Sequence, residues 1–447
     1  MVTTFDPNLF LDGEIPAVYA SFGKVPYGKT LMGKLHFDTD NVLGCDEYGL
    51  DDKDEIDRSA DVAPMYLAYR GSCTFVQKVR NMENLGVAVG ILIDDAAEDV
   101  SRLTLADDGT GGGIRIPSMM ISRTDGDVLV KWLKKATPAE LRSLVVMAEF
   151  KMPVNNKNNV KVEYWMSSSS NRAMDFIEDF HPLLDDLRKE NRVQFLPHYV
   201  FWECRGCDRT TLENDCYADG RYCAVEPSNE AILGREIILE DLRQKCLFTA
   251  LQDTKRNTTD WSDYIDRVHS TCHTAINEDC SRAAHQHLGL DYDMTEACMK
   301  DSFSRKENQW GSGSCKNTII DEEIAAWETL GSNTYPALMI NDRAYRGQIE
   351  PLSVFNAICA AFADPPKKCW PTLGLYETQT PTYFTEEDVS GLVTSGEIFL
   401  SVLAVVAVNV LVVYCCRRRA KRELNHAMQT QIESQIGQYN ALQMEAK

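Results

Sequence analysis

The residues of this chain best suited to chemistry are a cysteine pair, Cys204-Arg205-Gly206-Cys207. A thiol at C-x-x-C spacing becomes reactive where a helix N-terminus lowers its pKa and favours the thiolate. Cys216 and Cys223 follow, so four thiols are available to zinc by count, but their spacing is not that of a zinc module. His269, His273, His285 and His287 lie near one another in sequence. The i, i+4 pair His269 and His273 has the spacing of a metal site or of a sensor titrating near pH ~6.5. A solvated helix face is the simpler reading. Residues 46–57 hold seven carboxylates without the spacing of a calcium loop, and read as a charged surface loop. The chain has no H-E-x-x-H and no G-x-S-x-G. Zinc-peptidase and serine-hydrolase chemistry therefore have no support, and no metal or cofactor is expected.

The compartment that must hold these thiols follows from composition. The 447 residues include 67 acidic and 46 basic side chains, a net charge of −21. Such a surface repels phosphates and argues against a nucleic-acid partner. Fifteen cysteines at irregular spacing indicate an oxidising compartment. The charge divides at residues 398–416 (IFLSVLAVVAVNVLVVYCC), an uncharged run followed by five basic residues in six. As a helix these residues span roughly 28 Å, close to a bilayer core. By the positive-inside rule the tail, 417–447, is cytosolic and everything before the span is lumenal or extracellular. The tail carries a net +3 and the rest −24. Cys415 and Cys416 sit at the cytosolic membrane edge, where S-acylation is one reading and simple span-end residues the other. Asn409 offers a side chain to a partner helix, which leaves homo-oligomerisation open. This topology calls for a signal peptide. MVTTFDPNLFLDG has neither its basic nor its apolar region, so its removal or a different start is expected.

Two lumenal domains must position the candidate residues. In the first, residues 1–152, short β-like segments at 17–21, 31–37, 65–68, 87–93, 118–121 and 144–150 alternate with Gly and Asp turns. Phe75, Val79, Met82 and Leu85 recur at helical spacing over 75–85, and a second helix is expected over 126–135. The run Gly71-Ser72-Cys73-Thr74-Phe75, the segment Gly86-Val87-Ala88-Val89-Gly90-Ile91-Leu92-Ile93-Asp94 and the segment Ile116-Pro117-Ser118-Met119-Met120-Ile121 resemble a protease-associated (PA) domain. PA domains are non-catalytic modules that bind peptides or cover active sites.

The second domain, residues 158–363, reads as strand 160–165, helix 172–190, strand 193–202, and a helical cysteine-rich insert over about 204–330. A hairpin around Tyr335-Pro336 and a helix at 351–362 follow. That order resembles a thioredoxin-like fold with a helical insert, and implies a cis bond before Pro336. In this fold a redox pair lies between the first strand and first helix. Here that slot holds Ser167-Ser168-Ser169-Ser170-Asn171. Cys204 and Cys207 come after the second strand instead, so structural disulfides with more distant cysteines are favoured over redox catalysis. The expected class is thus a multi-domain α/β protein: a PA-type domain, a thioredoxin-like domain, a Pro- and Thr-bearing stalk at 364–395, one transmembrane helix at 396–416 and the tail.

Taken together the chain resembles the plant-type vacuolar sorting receptors, type I membrane proteins with a PA domain and a cysteine-rich central domain. The resemblance rests on Phe22-Gly23-Lys24-Val25-Pro26-Tyr27-Gly28, on Arg70-Gly71-Ser72-Cys73-Thr74-Phe75 and on Pro197-His198-Tyr199-Val200-Phe201-Trp202-Glu203-Cys204. It rests also on Gly220-Arg221-Tyr222-Cys223-Ala224, Asp241-Leu242-Arg243-Gln244-Lys245-Cys246 and Asn341-Asp342-Arg343-Ala344-Tyr345-Arg346-Gly347. It implies no enzyme activity. It implies soluble lumenal cargo bound at Arg70, Gly71, Ser72, Thr74 and Phe75, and a location on Golgi, endosomal or prevacuolar membranes, or the cell surface. A short loop with exposed N–H and C=O groups beside a guanidinium suits an extended peptide. In the tail, Tyr439-Asn440-Ala441-Leu442 fits a Y-x-x-Φ signal in which Tyr439 and Leu442 fill pockets of a clathrin adaptor subunit. Asn257-Thr258-Thr259 is a glycosylation sequon. The resemblance pairs Cys45 with Cys73 and assigns Cys204, Cys216, Cys223, Cys246, Cys272, Cys280, Cys298, Cys359 and Cys369 to disulfides. Thirteen lumenal cysteines are an odd number, and Cys207 or Cys315 is the candidate free thiol. The stalk stands where the family carries EGF-like repeats, which puts calcium-regulated release in doubt. The other classes open to this sequence are a membrane-tethered thiol–disulfide oxidoreductase and a surface interaction protein.

Overall fold

The computed structural model describes residues 13–49, 63–96, 99–100, 103–154, 158–226, 232–253, 259–272, 275–330 and 335–375. The span at 398–416, Tyr439 and Leu442, Asn257, His273, Cys415, Cys416 and most of the acidic run at 46–57 lie outside them. No helix among the described residues is long and apolar enough to cross a membrane.

The first sheet is built from β1 (Ala17–Tyr19), β2 (Thr30–Phe37), β3 (Ala63–Tyr69), β4 (Val89–Ile93), β5 (Ser118–Ile121) and β6 (Val146–Glu149). Its order is β1-β5-β4-β3-β2-β6, with β2 to β5 parallel and the two ends antiparallel. Parallel strands are buried on both faces, which is why β4 is apolar throughout. Alternation along β3 sends Met65 and Leu67 to one core and Tyr66 and Ala68 to the other. Helix α1 (Phe75–Leu85) packs Val76, Val79 and Met82 on the second core; α2 (Arg123–Leu133) packs Leu129 and Val130 on the first. Gly126 lets α2 approach the sheet, since a Cβ there would overlap Ile93. This helix begins three residues earlier than its apolar spacing indicates, because Ser122 caps it by accepting from Asp125 N–H. A further short helix, α3 (Pro138–Ser143), starts at a capping box of Thr137 and Glu140.

The second sheet has the order β13 (Arg343–Ala344), β12 (Ala337–Ile340), β7 (Val160–Met166), β8 (Val193–Tyr199). Strand β7 (Val160–Met166) leads into α4 (Asn171–Lys189), and β8 (Val193–Tyr199) returns parallel to β7. Tyr164 packs on Phe176 of α4, ring centroids 4.9 Å apart. The strand expected over 193–202 is two strands. Val200 N–H turns to Met166 C=O, and β9 (Phe201–Trp202) joins a separate small sheet. The insert is mainly helical, with α5 (Arg209–Asp215), then α6 (Gly234–Asp253), α7 (Thr259–Thr271), α8 (Glu278–Leu288), α9 (Tyr292–Ser302) and α10 (Thr318–Leu330). It also holds the hairpin β10 (Cys216–Tyr217) and β11 (Tyr222–Ala224). Helix α6 is buried nearly all round, and its polar residues are paired: Arg243 Nε donates to Glu296 at 3.0 Å, and Glu240 accepts from Tyr264 at 2.9 Å. The chain closes with β12 (Ala337–Ile340), β13 (Arg343–Ala344), α11 (Pro351–Ala360) and α12 (Trp370–Leu373). The Tyr335-Pro336 bond is cis.

Both sheets lie in one compact unit, Met1–Leu375. Backbone bonds join them. Gly347 N–H donates to Ala20 C=O at 2.7 Å and Gln348 N–H to Gly23 C=O at 2.9 Å. Tyr27 OH bonds both the N–H and the C=O of Arg346.

Candidate functional site

The turn between β3 and α1 stands at the carboxyl end of parallel strands, where open α/β sheets place ligands. Gly71 and Ser72 adopt positive φ, 122° and 65°, so the chain reverses sharply and leaves Ser72 exposed. Thr74 is exposed too, and its hydroxyl caps α1 by accepting from Gln77 N–H. Arg70 is partly exposed. Its guanidinium lies 5.6 Å from the Phe75 ring centroid and 2.9 Å from Asp94. Thus Arg70, Gly71, Ser72, Thr74 and Phe75 form one surface. Asp94 is fully buried, and its second carboxylate oxygen has no hydrogen-bond partner.

Beneath the turn lies Lys78, also fully buried. Its ammonium donates to Leu43 C=O at 2.5 Å and Gly71 C=O at 2.7 Å, and lies 3.3 Å from Cys45 Sγ. Cys45 is bonded to Cys73, so the turns at 43–46 and 71–73 are joined by a disulfide and a shared cation. Asn81 adds bonds to the carbonyls of Gly44, Cys45 and Asp46. Burial pushes the Lys78 pKa down to about 8, since its partners are neutral carbonyls rather than a carboxylate. Sequence reading missed Lys78 and Asp94. The signals were a cation on the apolar face of α1 and a carboxylate ending the apolar run of β4.

The thioredoxin-like slot is built differently. Ser167, Ser168 and Ser170 are buried. Ser168 N–H donates to Asp241 of α6 at 2.7 Å, and Ser169 bonds Glu226. Burial raises the Asp241 carboxyl well above its ordinary range. The slot holds no thiol.

Cys204 is bonded to Cys207, not to a distant cysteine. Their loop is short enough for the two Sγ atoms to meet, with Gly206 at φ 94° making the turn. Cys207 is therefore not free. The remaining bonds are Cys216–Cys223, Cys246–Cys298, Cys272–Cys280 and Cys359–Cys369. Among the described residues Cys315 is the free thiol, and it is buried. With Cys204, Cys207, Cys216 and Cys223 oxidised, no zinc site remains there. The histidines do not converge. His269 bonds Asp175, His285 is buried against Ser281 C=O and Thr295, and His287 is exposed. Among the described residues no group of three side chains is placed to hold a metal.

Comparison with known proteins matches residues 160–359 to the vacuolar sorting receptor thioredoxin-like domain and residues 32–129 to the PA domain. Over these two regions the chain is similar to the vacuolar sorting receptors. Vacuolar-sorting receptor 1 of Pisum sativum is 26% identical over 380 residues, 79% of this chain and 58% of that one. Vacuolar-sorting receptor 7 of Arabidopsis thaliana is 27% identical over 371 residues, 78% of this chain and 56% of that one. The chain therefore spans less than two thirds of the length of those relatives. Among solved structures, BdbD from Bacillus subtilis matches at 10% identity and a TM-score of 0.29, over 46% of this chain and 89% of that one.

Proposed function

We propose that this chain is a type I membrane receptor that binds soluble lumenal proteins through peptide signals and sorts them to a vacuole- or lysosome-like compartment. The observation that carries this reading is the turn at 70–75, stapled from below and open above, in a chain similar to those receptors. An extended peptide presents alternating N–H and C=O groups. Arg70 supplies donors to its carbonyls, and the buried Asp94 carboxylate beneath holds that guanidinium in place. The reading is a receptor and not a thiol–disulfide enzyme: serines stand where a thioredoxin-like fold keeps its redox cysteines, and Cys204 and Cys207 lie after the second strand. Residues 398–416 anchor it, and Tyr439 and Leu442 recruit a clathrin adaptor subunit from the cytosolic side. It resides on Golgi, endosomal or prevacuolar membranes.

The test is affinity capture on the full chain, with bound lumenal proteins identified at pH 7 and pH 5. Capture abolished by Arg70→Ala is the expected result; an unchanged set of bound proteins rejects the turn as the cargo site. Tyr439→Ala should move the receptor from internal membranes to the surface, and an unaltered distribution rejects the tail signal.

A further inference from the structure

Two motifs of the sequence are not used by the 70–75 turn: residues 22–28 and residues 341–347. The structure packs them together through the Tyr27–Arg346 bonds, and beside that seam the two sheets leave a cleft of about 720 Å³. That volume lies within the usual range of ligand pockets. Its walls come from both domains, including Tyr19 of β1, Met152, Leu330 of α10, and Arg343 and Ala344 of β13.

Charge in this cleft is distributed unevenly. Its carboxylates are already taken: Lys161 lies 3.0 Å from Glu163 and 2.9 Å from Asp342. Arg343 is exposed and Arg346 half-buried, and neither meets a carboxylate among the described residues. Among the described residues the Arg346 guanidinium donates to the Thr104 hydroxyl, at 3.4 Å. Two guanidiniums without counter-ions are conspicuous in a chain of net charge −21. The backbone beside them is open as well. Tyr345 N–H donates to Leu338 C=O, so odd-numbered residues of the β13 edge bond inward to β12. Ala344, between them, directs its N–H and C=O away from the sheet, into the cleft it lines. An edge strand of this kind is a template for another strand.

We infer that this cleft binds an extended peptide segment carrying a carboxylate side chain, which adds along Ala344 and places its charge between Arg343 and Arg346. The occupant is identified by complementarity: alternating backbone groups match the open edge, and an anion matches the paired arginines. Lys161 cannot play this part because its charge is satisfied. The cleft is a second contact, independent of the 70–75 turn.

The test uses the full chain in detergent and two blocked, fluorescein-labelled peptides, Val-Thr-Glu-Thr-Val and Val-Thr-Gln-Thr-Val, followed by anisotropy. The glutamate peptide should bind at least about tenfold more tightly, as expected for a charge-assisted pair. Arg343→Gln should erase that preference. Ala344→Pro, which removes one N–H and no charge, should weaken both peptides alike. Arg70→Ala should leave the preference intact. Equal binding of the two peptides, or no binding of either, overturns the inference. So does a preference that survives Arg343→Gln, or displacement by free glutamate as effective as by the peptide. A preference lost in Arg70→Ala but kept in Arg343→Gln assigns the peptide to the 70–75 turn instead, and also overturns it.

Discussion

Two strand-to-helix turns occupy equivalent places in the two sheets. One joins β3 to α1, the other β7 to α4. Each follows a parallel strand, so the fold gives both the same claim to a site. Their residues decide otherwise. The first turn is held from below by a cation and a disulfide, and its upper side, Ser72 and Thr74, faces solvent. The second is covered, with Ser168 bound to a buried carboxyl. Support by Lys78 falls on carbonyls, and leaves Ser72 and Thr74 exposed above. Support by Asp241 consumes a backbone N–H of the second. Topology nominates a site, and the group beneath the turn determines whether it is open.

The comparison breaks most readily at the disulfide. Replacing Cys45 and Cys73 by Ser should cost about 3.5 kcal/mol, as expected for the loop they close, and the same change at Cys204 and Cys207 only about 2 kcal/mol. Urea unfolding midpoints measure both. Equal losses would mean that the first turn is not specially dependent on its staple.

Next come the supporting groups. Lys78→Met removes two charge-assisted hydrogen bonds to part-buried carbonyls and should cost roughly 1–3 kcal/mol. Asp241→Ala strands Ser168 N–H and falls in the same range, roughly 1–3 kcal/mol. Asp241→Asn keeps an acceptor for Ser168 N–H, and burial disfavours the charged carboxylate, so Asn should cost less than Ala. A large loss for Asn would show that the second turn is held by a charge after all.

A finer distinction lies in pH. Lys78 titrates near 8 in the folded protein and at ~10.4 when unfolded. Between these values the unfolded chain holds more protons, so stability should rise with pH relative to Lys78→Met. His198 shows the opposite sign. Burial alone would lower its pKa, but Glu163 and Glu323 more than offset this and raise it. Its stabilisation is complete below ~6.5 and is lost as pH rises through the folded value. His198→Gln should therefore destabilise more at pH 6 than at pH 8.5, by the smallest margin of these effects. Thermal unfolding at the two pH values measures it.

Much of this was legible in the residues. The runs at 65–68 and 118–121 were legible as continuous apolar stretches because both faces of those strands are buried, and the helix at 75–85 because its 3.6-residue pattern packs one face. The 70–75 turn was legible through Gly71 and Cys73. What eluded the pattern was set by partners distant in sequence. Val200 breaks a strand because Phe201 pairs with Ala224. Lys78 reads as a surface cation until Leu43 and Gly71 surround it. Cys204 pairs with its near neighbour, a choice that spacing leaves open. The capping box at Thr137 was available and went unread, because no apolar face follows it.

The seam between the sheets also bears on synthesis. Tyr27 and Arg346 are 319 residues apart, and the segment 20–27 that follows β1 is bonded from the far side of that interval. At ~5–20 residues per second, roughly 15–65 s pass between the emergence of the two. Through that time the segment 20–27 waits without those partners while Cys45 and Cys73 are open to oxidation. A nascent-chain intermediate with Cys45–Cys73 formed and residues 20–27 still protease-sensitive is the consequence of placing the closing residues so late.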